Sequence, residues 1–407
     1  MKLVVVGASL AGLRAVEAAR AQDEHCSITL VGAEPYVPYD RPPLSKGLLS
    51  VDAVRTDSEL RSEASLRDDL RIDLRLGTPA SSLDTDAGTV TVGDERIAYD
   101  KLIIATGSAP RKLPGPDSLG GVHVLRSIDD SRAIRAALDN GARTVVVGAG
   151  FIGSEIASAA RARGLAVTVI EALPTPLARA VGTRPGAACA ALHSANGTTL
   201  HCDRAVESIE GDGRVERVRL ADGTVLAADL VVVGVGATPN TGWLVGSGLE
   251  IEDGIACDAY LRTSAPDVYA AGDIARWHNV LFDRVMRIEH WTNAAEQGNR
   301  AARNALDPEH AEPYAAVPYF WSDWYGSRIQ FVGVPNDDEV EVVAGTLGSD
   351  RFVALYREGE RLTGVLALNA QRHVMRYRTL INEGAGFADA IELSHALPPL
   401  PPRSVPA

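Results

Sequence analysis

Short, unbroken runs of aliphatic residues, each followed by glycines and then by a helical period, occur twice in this chain. The first copy predicts a strand at Leu3–Val6, a turn Gly7-Ala8-Ser9-Leu10-Ala11-Gly12, a helix to about Ala21 and a strand at Ser27–Val31, closed by Glu34. The second predicts a strand at Thr144–Val147, a turn Gly148-Ala149-Gly150-Phe151-Ile152-Gly153, a helix to about Arg163 and a strand at Ala166–Ile170, closed by Glu171. Each copy reads as a βαβ unit, and the spacing of glycines and downstream acid, about 20 residues on, is that of a dinucleotide fold.

Two more apolar runs end in glycine turns: Lys101–Ile104 before Ala105-Thr106-Gly107, and Leu230–Val233 before Gly234-Val235-Gly236. Both are expected where the chain crosses between domains. Val268-Tyr269-Ala270-Ala271-Gly272-Asp273 returns as a further buried strand. Beyond Glu312 the texture changes, with Tyr314, Tyr319, Phe320, Trp321, Trp324 and Tyr325 close together. This predicts a third, β-rich segment, ending in a Pro-rich tail from Pro398 expected to be extended. The fold class is therefore α/β, with two Rossmann-type nucleotide-binding domains and a C-terminal α+β domain. The expected boundaries are 1–111 with 239–311 for the first domain, 112–238 for the second and 312–407 for the third.

Length agrees with several cores: 407 residues exceed what one core organises. Lys and Arg number 40 against 53 Asp and Glu, a net charge of −13, which argues against nucleic acid or an anionic membrane as partner while leaving room for a local basic patch. The opening Met1-Lys2-Leu3-Val4-Val5-Val6 has the look of a signal peptide, but glycines in register with it favour a first strand. No apolar run is long enough to span a bilayer. Cys26, Cys189, Cys202 and Cys257 are scattered with no C-x-x-C spacing, so neither a metal site nor a redox dithiol is signalled, and free thiols suit a cytoplasmic location.

The glycines explain their own chemistry. They permit a tight turn, expose backbone N–H groups and let a pyrophosphate approach the positive end of a helix. In the first copy Ser9 takes the place of the middle glycine; it is small enough for close approach and carries a hydroxyl. Glu34 and Glu171 stand where a carboxylate accepts hydrogen bonds from ribose hydroxyls, although a solvated strand end would also carry an acid. Glu171 faces a 2′ position and is followed by Ala172-Leu173-Pro174 without an arginine, so NADH is favoured over NADPH.

Tyr39-Asp40-Arg41-Pro42-Pro43-Leu44-Ser45-Lys46, Ala270-Ala271-Gly272-Asp273 and Glu289-His290-Trp291-Thr292-Asn293-Ala294 resemble the FAD-dependent ferredoxin reductases, a group with a glutathione-reductase-like fold that includes the putidaredoxin, rhodocoxin and aromatic-dioxygenase reductases. Phe320-Trp321-Ser322-Asp323 extends the resemblance to the C-terminal domain. The resemblance implies FAD contacts at Ala11, Glu34, Lys46, Ala80, Arg126, Asp273 and Trp291, with Asp273 on the ribityl chain and Lys46 near flavin N5. It implies Glu155 near the nicotinamide, Glu171 at the adenine ribose and a weaker match at Arg179. With the turns, the cofactor-binding set becomes Gly7, Ser9, Ala11, Gly12, Glu34, Arg41, Lys46, Ala80, Thr106, Gly107, Arg126, Gly148, Gly150, Ile152, Gly153, Glu171, Gly236, Gly272, Asp273 and Trp291. The departures are Ser9 and Trp324, where glycine and often glutamine are usual.

Physical chemistry supports parts of this independently. A cation near N5 and N1 favours a reduced flavin, and a buried lysine needs a partner, for which Glu155 is the candidate. Trp291 suits a platform against the isoalloxazine or a core aromatic. Lys46, Glu155 and Trp291 are the catalytic candidates, and no metal site is expected. The stretch Leu44-Ser45-Lys46-Gly47-Leu48-Leu49 has no cysteine, so electrons are expected to leave the flavin directly for an external carrier.

The implied function is passage of electrons from NADH through FAD to a 2Fe-2S ferredoxin that serves a haem-thiolate monooxygenase or a ring-hydroxylating dioxygenase, by a monomer or weak dimer. Rubredoxin reductase, NADH oxidase and an NADH-sensing flavoprotein are the alternatives. An acidic ferredoxin would need a basic landing patch, for which Arg300 with Arg303, or Arg372, His373, Arg376 and Arg378, are candidates, with Trp324 the apolar alternative.

Overall fold

A computed structural model describes residues 1–52, 58–113, 119–336 and 339–400. The last residues of the expected Pro-rich tail, 401–407, lie outside the described residues. The chain forms two compact units: Met1–Asp40, Asp57–Ala109 and Ala237–Pro318 make the first, and Arg41–Thr56, Pro110–Gly236 and Tyr319–Ala407 the second.

The first unit is built on a parallel five-stranded sheet in the order Val268–Ala270, Lys101–Ile104, Lys2–Val6, Ser27–Val31, Ile72–Arg75. Strand Lys2–Val6 is central, pairing Leu3 with Ile28 on one side and Val4 with Leu102 on the other. Continuous burial of Leu3, Val4, Val5 and Val6 follows from layers on both faces of the sheet, which is why the strand reads as an apolar run and not as an alternation. Helix Leu10–Gln22 leaves the end of this strand and packs on helix Trp291–Leu306. The approach is close: a Cβ on Gly298 would stand 2.1 Å from the Ala11 carbonyl oxygen. The unit also holds an antiparallel sheet formed by Ala80–Asp84, Thr89–Val92 and Glu95–Ala98, and a mixed four-stranded sheet in which Gly254–Cys257 pairs in parallel with Ala275–Asn279.

The second unit repeats the plan. Thr199–His201, Val167–Ile170, Thr144–Val147, Leu230–Val233 and Val122–His123 form a parallel sheet in that order, and helix Phe151–Ala162 follows the central strand. An antiparallel sheet in the order Tyr319–Trp324, Ser327–Gly333, Arg361–Leu368, Phe352–Glu358, Val340–Gly345 carries helices Gln371–Asn382 and Phe387–Ala396.

The compact units divide the chain differently from the boundaries expected of the sequence. Strands Tyr319–Trp324, Ser327–Gly333 and Phe352–Glu358 share an apolar core with the second Rossmann region, in which Leu177, Val181 and Cys189 cluster with Phe320, Trp324, Phe331 and Phe352. Residues 41–56 also join this unit. Their backbone carbonyls accept bonds from Ser131 Oγ to Leu44 (2.7 Å), Arg135 Nη1 to Leu48 (3.0 Å) and Arg163 Nη1 to Leu49 (2.7 Å). Arg41 and Lys46 accordingly belong to the compact unit that carries the second glycine turn.

Candidate functional site

Each Rossmann unit presents a glycine turn at the carboxyl end of its central strand, where the strand order reverses and a dinucleotide fits. In the first unit Gly7 has φ +121°, and a Cβ there would meet the Ala105 carbonyl oxygen at 2.1 Å. Gly12 is as constrained, with a Cβ 1.9 Å from the Gly7 oxygen. Ser9 caps the helix that follows, whose first turn, with Leu10, Ala11 and Gly12, contains no acid. The positive helix end is thus left to an anion.

The remaining residues of this cradle are fixed by hydrogen bonds. Glu34 Oε2 accepts from the Tyr39 hydroxyl at 2.5 Å. Thr106 and Asn240 exchange bonds, the Thr106 hydroxyl to the Asn240 carbonyl at 3.2 Å and Asn240 Nδ2 to the Thr106 carbonyl at 2.8 Å. The Asn240 N–H reaches the Gly107 carbonyl at 2.9 Å, and Gly107 has φ +66°. Gly272, at φ +79°, donates its N–H to Gln297 Oε1 at 2.8 Å. Asp273 Oδ2 accepts from Ser108 Oγ at 3.0 Å. Trp291 begins its helix half-buried and donates Nε1–H to Asp40 Oδ1 at 2.7 Å. Ala80 opens the antiparallel strand Ala80–Asp84 of the same unit.

In the second unit Gly148 (φ +102°) and Gly153 are forced by backbone contacts, a Cβ falling 2.2 Å from the Gly234 oxygen and 2.0 Å from the Gly148 oxygen respectively. Gly150 differs. A Cβ there meets nothing within 4 Å, so its backbone borders open space at the helix N-terminus, beside the exposed Ile152. Glu171 Oε2 accepts from the Ala149 N–H at 2.8 Å and Oε1 from the Leu173 N–H at 2.9 Å, so the carboxylate is fixed at the turn and each oxygen keeps a further lone pair that a ribose hydroxyl could use. Gly236 is exposed at φ +102°. These features, open backbone at Gly150 and an acid-free helix start, fit a bound dinucleotide in this unit as they do in the first.

The same unit holds a buried ionic cluster. Lys46 lies between two short 3-10 turns, Pro42–Ser45 and Gly47–Leu49, and its Nζ is 2.7 Å from Glu155 Oε1 and 2.8 Å from Oε2. Glu155, one turn into helix Phe151–Ala162, has 2% of its side chain exposed and Lys46 22%, so the carboxylate is desolvated while the ammonium keeps an outward face. An ion this buried costs several kcal/mol unless well paired and hydrogen-bonded. Glu155 meets that demand fully: besides Lys46 it accepts from the hydroxyls of Ser45 and Ser322 and from the Asp323 N–H at 3.2 Å. Arg41 Nη1 donates to the Arg126 carbonyl at 2.5 Å, while the Arg126 N–H donates to Asp130 Oδ2 at 2.9 Å.

Sequence reasoning singled out Lys46 and Glu155 but gave no role to Ser45 or Ser322, although both stand inside the quoted Leu-Ser-Lys and Phe-Trp-Ser-Asp runs. Asp40, Ser108, Asn240 and Gln297 were also passed over. They act through bonds between segments far apart in sequence, and apart from Asp40, which stands in the Tyr39–Lys46 run, no local pattern marks them. Arg179 is exposed on the short helix Ala178–Val181. Burial raises the Cys189 thiol to about 12, which keeps it protonated and unreactive.

Two surface expectations, Trp324 and His373, are corrected. Trp324 is wholly buried, because Tyr319–Trp324 alternates and turns Phe320, Ser322 and Trp324 inward. His373 is buried on the inner face of helix Gln371–Asn382, with Nε2 3.1 Å from the Pro398 carbonyl oxygen, leaving Arg372 and Arg376 exposed on the outer face. Arg300 is engaged in an ion pair with Glu312. Arg378 lies over the Tyr319 ring, 5.9 Å from its centroid.

Residues 1–298 match the pyridine nucleotide-disulphide oxidoreductase family, and residues 319–397 match the reductase C-terminal family. The chain is 38% identical to rhodocoxin reductase of Rhodococcus erythropolis over 94% of its own length and 89% of that protein's. It is also 38% identical to the ferredoxin–NAD(+) reductase component of the anthranilate 1,2-dioxygenase system of Burkholderia cepacia, over 94% of both chains. Among solved structures, the covalent putidaredoxin reductase–putidaredoxin complex superposes with a TM-score of 0.89 at 32% identity, covering 94% of this chain and 93% of that one.

Proposed function

We infer the reaction from the family to which this chain belongs, the pyridine nucleotide-disulphide oxidoreductases, in the branch that carries the reductase C-terminal domain of the ferredoxin reductases. The protein is an FAD-dependent oxidoreductase that takes electrons from NAD(P)H and passes them to a ferredoxin. In finer detail, the donor is NADH, the acceptor a 2Fe-2S ferredoxin serving a haem-thiolate monooxygenase or a ring-hydroxylating dioxygenase, and the enzyme a cytoplasmic monomer or weak dimer. Among the described residues no helix is long and apolar enough to cross a membrane.

FAD, when bound, accepts two electrons as a hydride from the nicotinamide and releases them singly to a one-electron carrier. The chain's own residues prepare for that. The first glycine turn, Glu34 and Asp273 hold one dinucleotide; the second turn and Glu171 hold the other. Lys46 is the cation we assign to flavin N5, and Glu155 fixes it by accepting its proton-bearing nitrogen on both carboxylate oxygens. Trp291, tied to Asp40, is the aromatic assigned to the isoalloxazine. Because the carboxylate is buried and the ammonium partly open, the pair presents a fixed positive charge outward, which favours arrival of negative charge.

The observation that carries this reading is the pair of glycine turns, each closed by a strand-end carboxylate, in a chain that also holds the Lys46–Glu155 cluster. Purified protein should be yellow with one FAD per chain, reduce rapidly with NADH and reduce a 2Fe-2S ferredoxin faster than it reduces rubredoxin or oxygen. A colourless protein that takes up no FAD on reconstitution would overturn the reading; rapid oxidation by air alone would make it an NADH oxidase.

A further inference from the structure

Ser322 and Trp324 stand on one face of strand Tyr319–Trp324, the face turned to Glu155. Trp324 Nε1 is 2.8 Å from Ser322 Oγ, and both side chains are fully buried, at 0% exposure. An indole N–H can only donate. Ser322 Oγ therefore accepts from Trp324, and its single proton is left for Glu155 Oε1. The donors run in one direction, from indole to hydroxyl to carboxylate, and such chains polarise one another.

We propose that Trp324 and Ser322 are positioning residues for the Lys46–Glu155 pair: the indole sets the direction of the Ser322 hydroxyl, and the hydroxyl holds the carboxylate in the orientation that grips Lys46. This rests on the reading that Lys46 and Glu155 serve reduction of the flavin. Neither residue is placed in contact with cofactor or substrate. The resemblance described above makes glutamine usual at position 324, and an amide offers an acceptor as well as donors, so it can meet Ser322 either way round. Tryptophan removes that freedom. Its seat is rigid as well, with the His193 ring 5.2 Å away and that imidazole held between Ser154 Oγ at 3.2 Å and the Tyr325 hydroxyl at 2.9 Å.

The test uses the flavin-loaded enzyme and two independent readouts. The first is anaerobic stopped-flow reduction by NADH, which separates the saturating rate from the NADH dissociation constant. The second is acylation of Lys46 by an amine reagent, followed by peptide mass spectrometry; the lysines are Lys2, Lys46, Lys101 and Lys112, so Lys2 and Lys101 serve as internal references. Ser322→Ala should lower the saturating rate by about tenfold, the worth of one hydrogen bond to a charged group, with the dissociation constant within about twofold. It should also speed acylation of Lys46 relative to the references. Ser322→Thr should restore both. Trp324→Phe should give a smaller effect of the same kind, and the double variant Ser322→Ala/Trp324→Phe should be no worse than Ser322→Ala alone, since the indole acts through the hydroxyl. If the phenylalanine variant does not fold, Trp324→Gln replaces it and should fall between wild type and Ser322→Ala.

Wild-type rate and wild-type acylation in Ser322→Ala would overturn the proposal, as would effects of Ser322→Ala and Trp324→Phe that simply multiply. Glu155→Gln separates the two levels of inference. Slow flavin reduction in Glu155→Gln with normal reduction in Ser322→Ala defeats the positioning role alone, whereas normal reduction in Glu155→Gln defeats the reading on which it rests.

Discussion

Glu171 Oε2 accepts a hydrogen bond from the Ala149 N–H at 2.8 Å, so the acid that ends one strand is bonded to the glycine turn that ends the strand beside it. The carboxylate is thereby oriented before any nucleotide arrives. On the proposed assignment to the adenine ribose, its charge would repel a 2′-phosphate, while 2′ and 3′ hydroxyls would donate to it. NADH should exceed NADPH in kcat/KM by at least about tenfold, equivalent to 1.4 kcal/mol. Glu171→Ala should narrow that ratio, and steady-state kinetics with both donors measures it. A wild-type preference for NADPH would remove Glu171 from the ribose.

Lys46→Ala leaves Glu155 buried at 2% exposure without its cation, retaining only hydroxyl and N–H donors. The variant should fold, slow flavin reduction by NADH by tenfold or more (about 1.4 kcal/mol per tenfold) and shift the flavin potential downward, because a positive charge that favours the reduced form is gone. Stopped-flow reduction and a redox titration decide the matter. Unchanged values in both would make Lys46 a structural cation only.

Docking of an acidic ferredoxin is tested through salt. Arg372 and Arg376 lie four residues apart on the outer face of helix Gln371–Asn382, and both are exposed. The second-order rate of ferredoxin reduction should fall as ionic strength shortens the Debye length from about 10 Å to 3 Å, with NADH reduction of the flavin much less affected. Arg376→Glu should raise KM for ferredoxin and spare KM for NADH. Arg300→Glu is the poorer probe, since it also breaks the ion pair with Glu312. A salt-insensitive rate would mean an apolar docking surface elsewhere.

Two buried imidazoles make stability depend on pH. Burial pushes both His193 and His290 down to about 4, with Asp273 acting weakly against it at His290. In the unfolded chain they titrate near 6.5, so between these values the unfolded state binds more protons. Stability from this source is complete above about pH 6.5 and is lost as pH falls toward 4. At pH 5 the loss is about 2 kcal/mol for each histidine. His193→Gln should flatten the fall in the urea midpoint between pH 7 and pH 5, after the wild-type curve is measured in the same buffers. An equal fall in the variant would assign the acid sensitivity to other groups.

The sequence by itself determined the features whose physics is local. Gly12 and Gly153 are readable because a Cβ at each would strike the carbonyl oxygen of the first glycine of its own turn, so that spacing is a direct record of the turn; Gly7 and Gly148 carry a local signal in their positive φ, although the backbone oxygens that crowd them belong to Ala105 and Gly234, far off in sequence. Glu34 and Glu171 follow from strand length, and the unbroken burial of Leu3–Val6 and Thr144–Val147 follows from helices and connections covering both faces of a parallel sheet. Only the tertiary structure decided what lies around Glu155. Ser45, Lys46, Ser322 and Asp323 come from two segments remote from it in sequence, and they converge because the 3-10 turns Pro42–Ser45 and Gly47–Leu49 and strand Tyr319–Trp324 belong to the unit of the second glycine turn. The same is true of the residues placed wrongly on the surface. Strand and helix periods say that Trp324 shares a face with Ser322, and that His373 and Arg372 do not share one, but which face is inward is set by the apolar surface each element meets. Trp324 turns into the apolar cluster that holds Val181 and Phe331, and His373 lies on the buried face of its helix with Val374, Tyr377 and Ile381, where its Nε2 meets the Pro398 carbonyl.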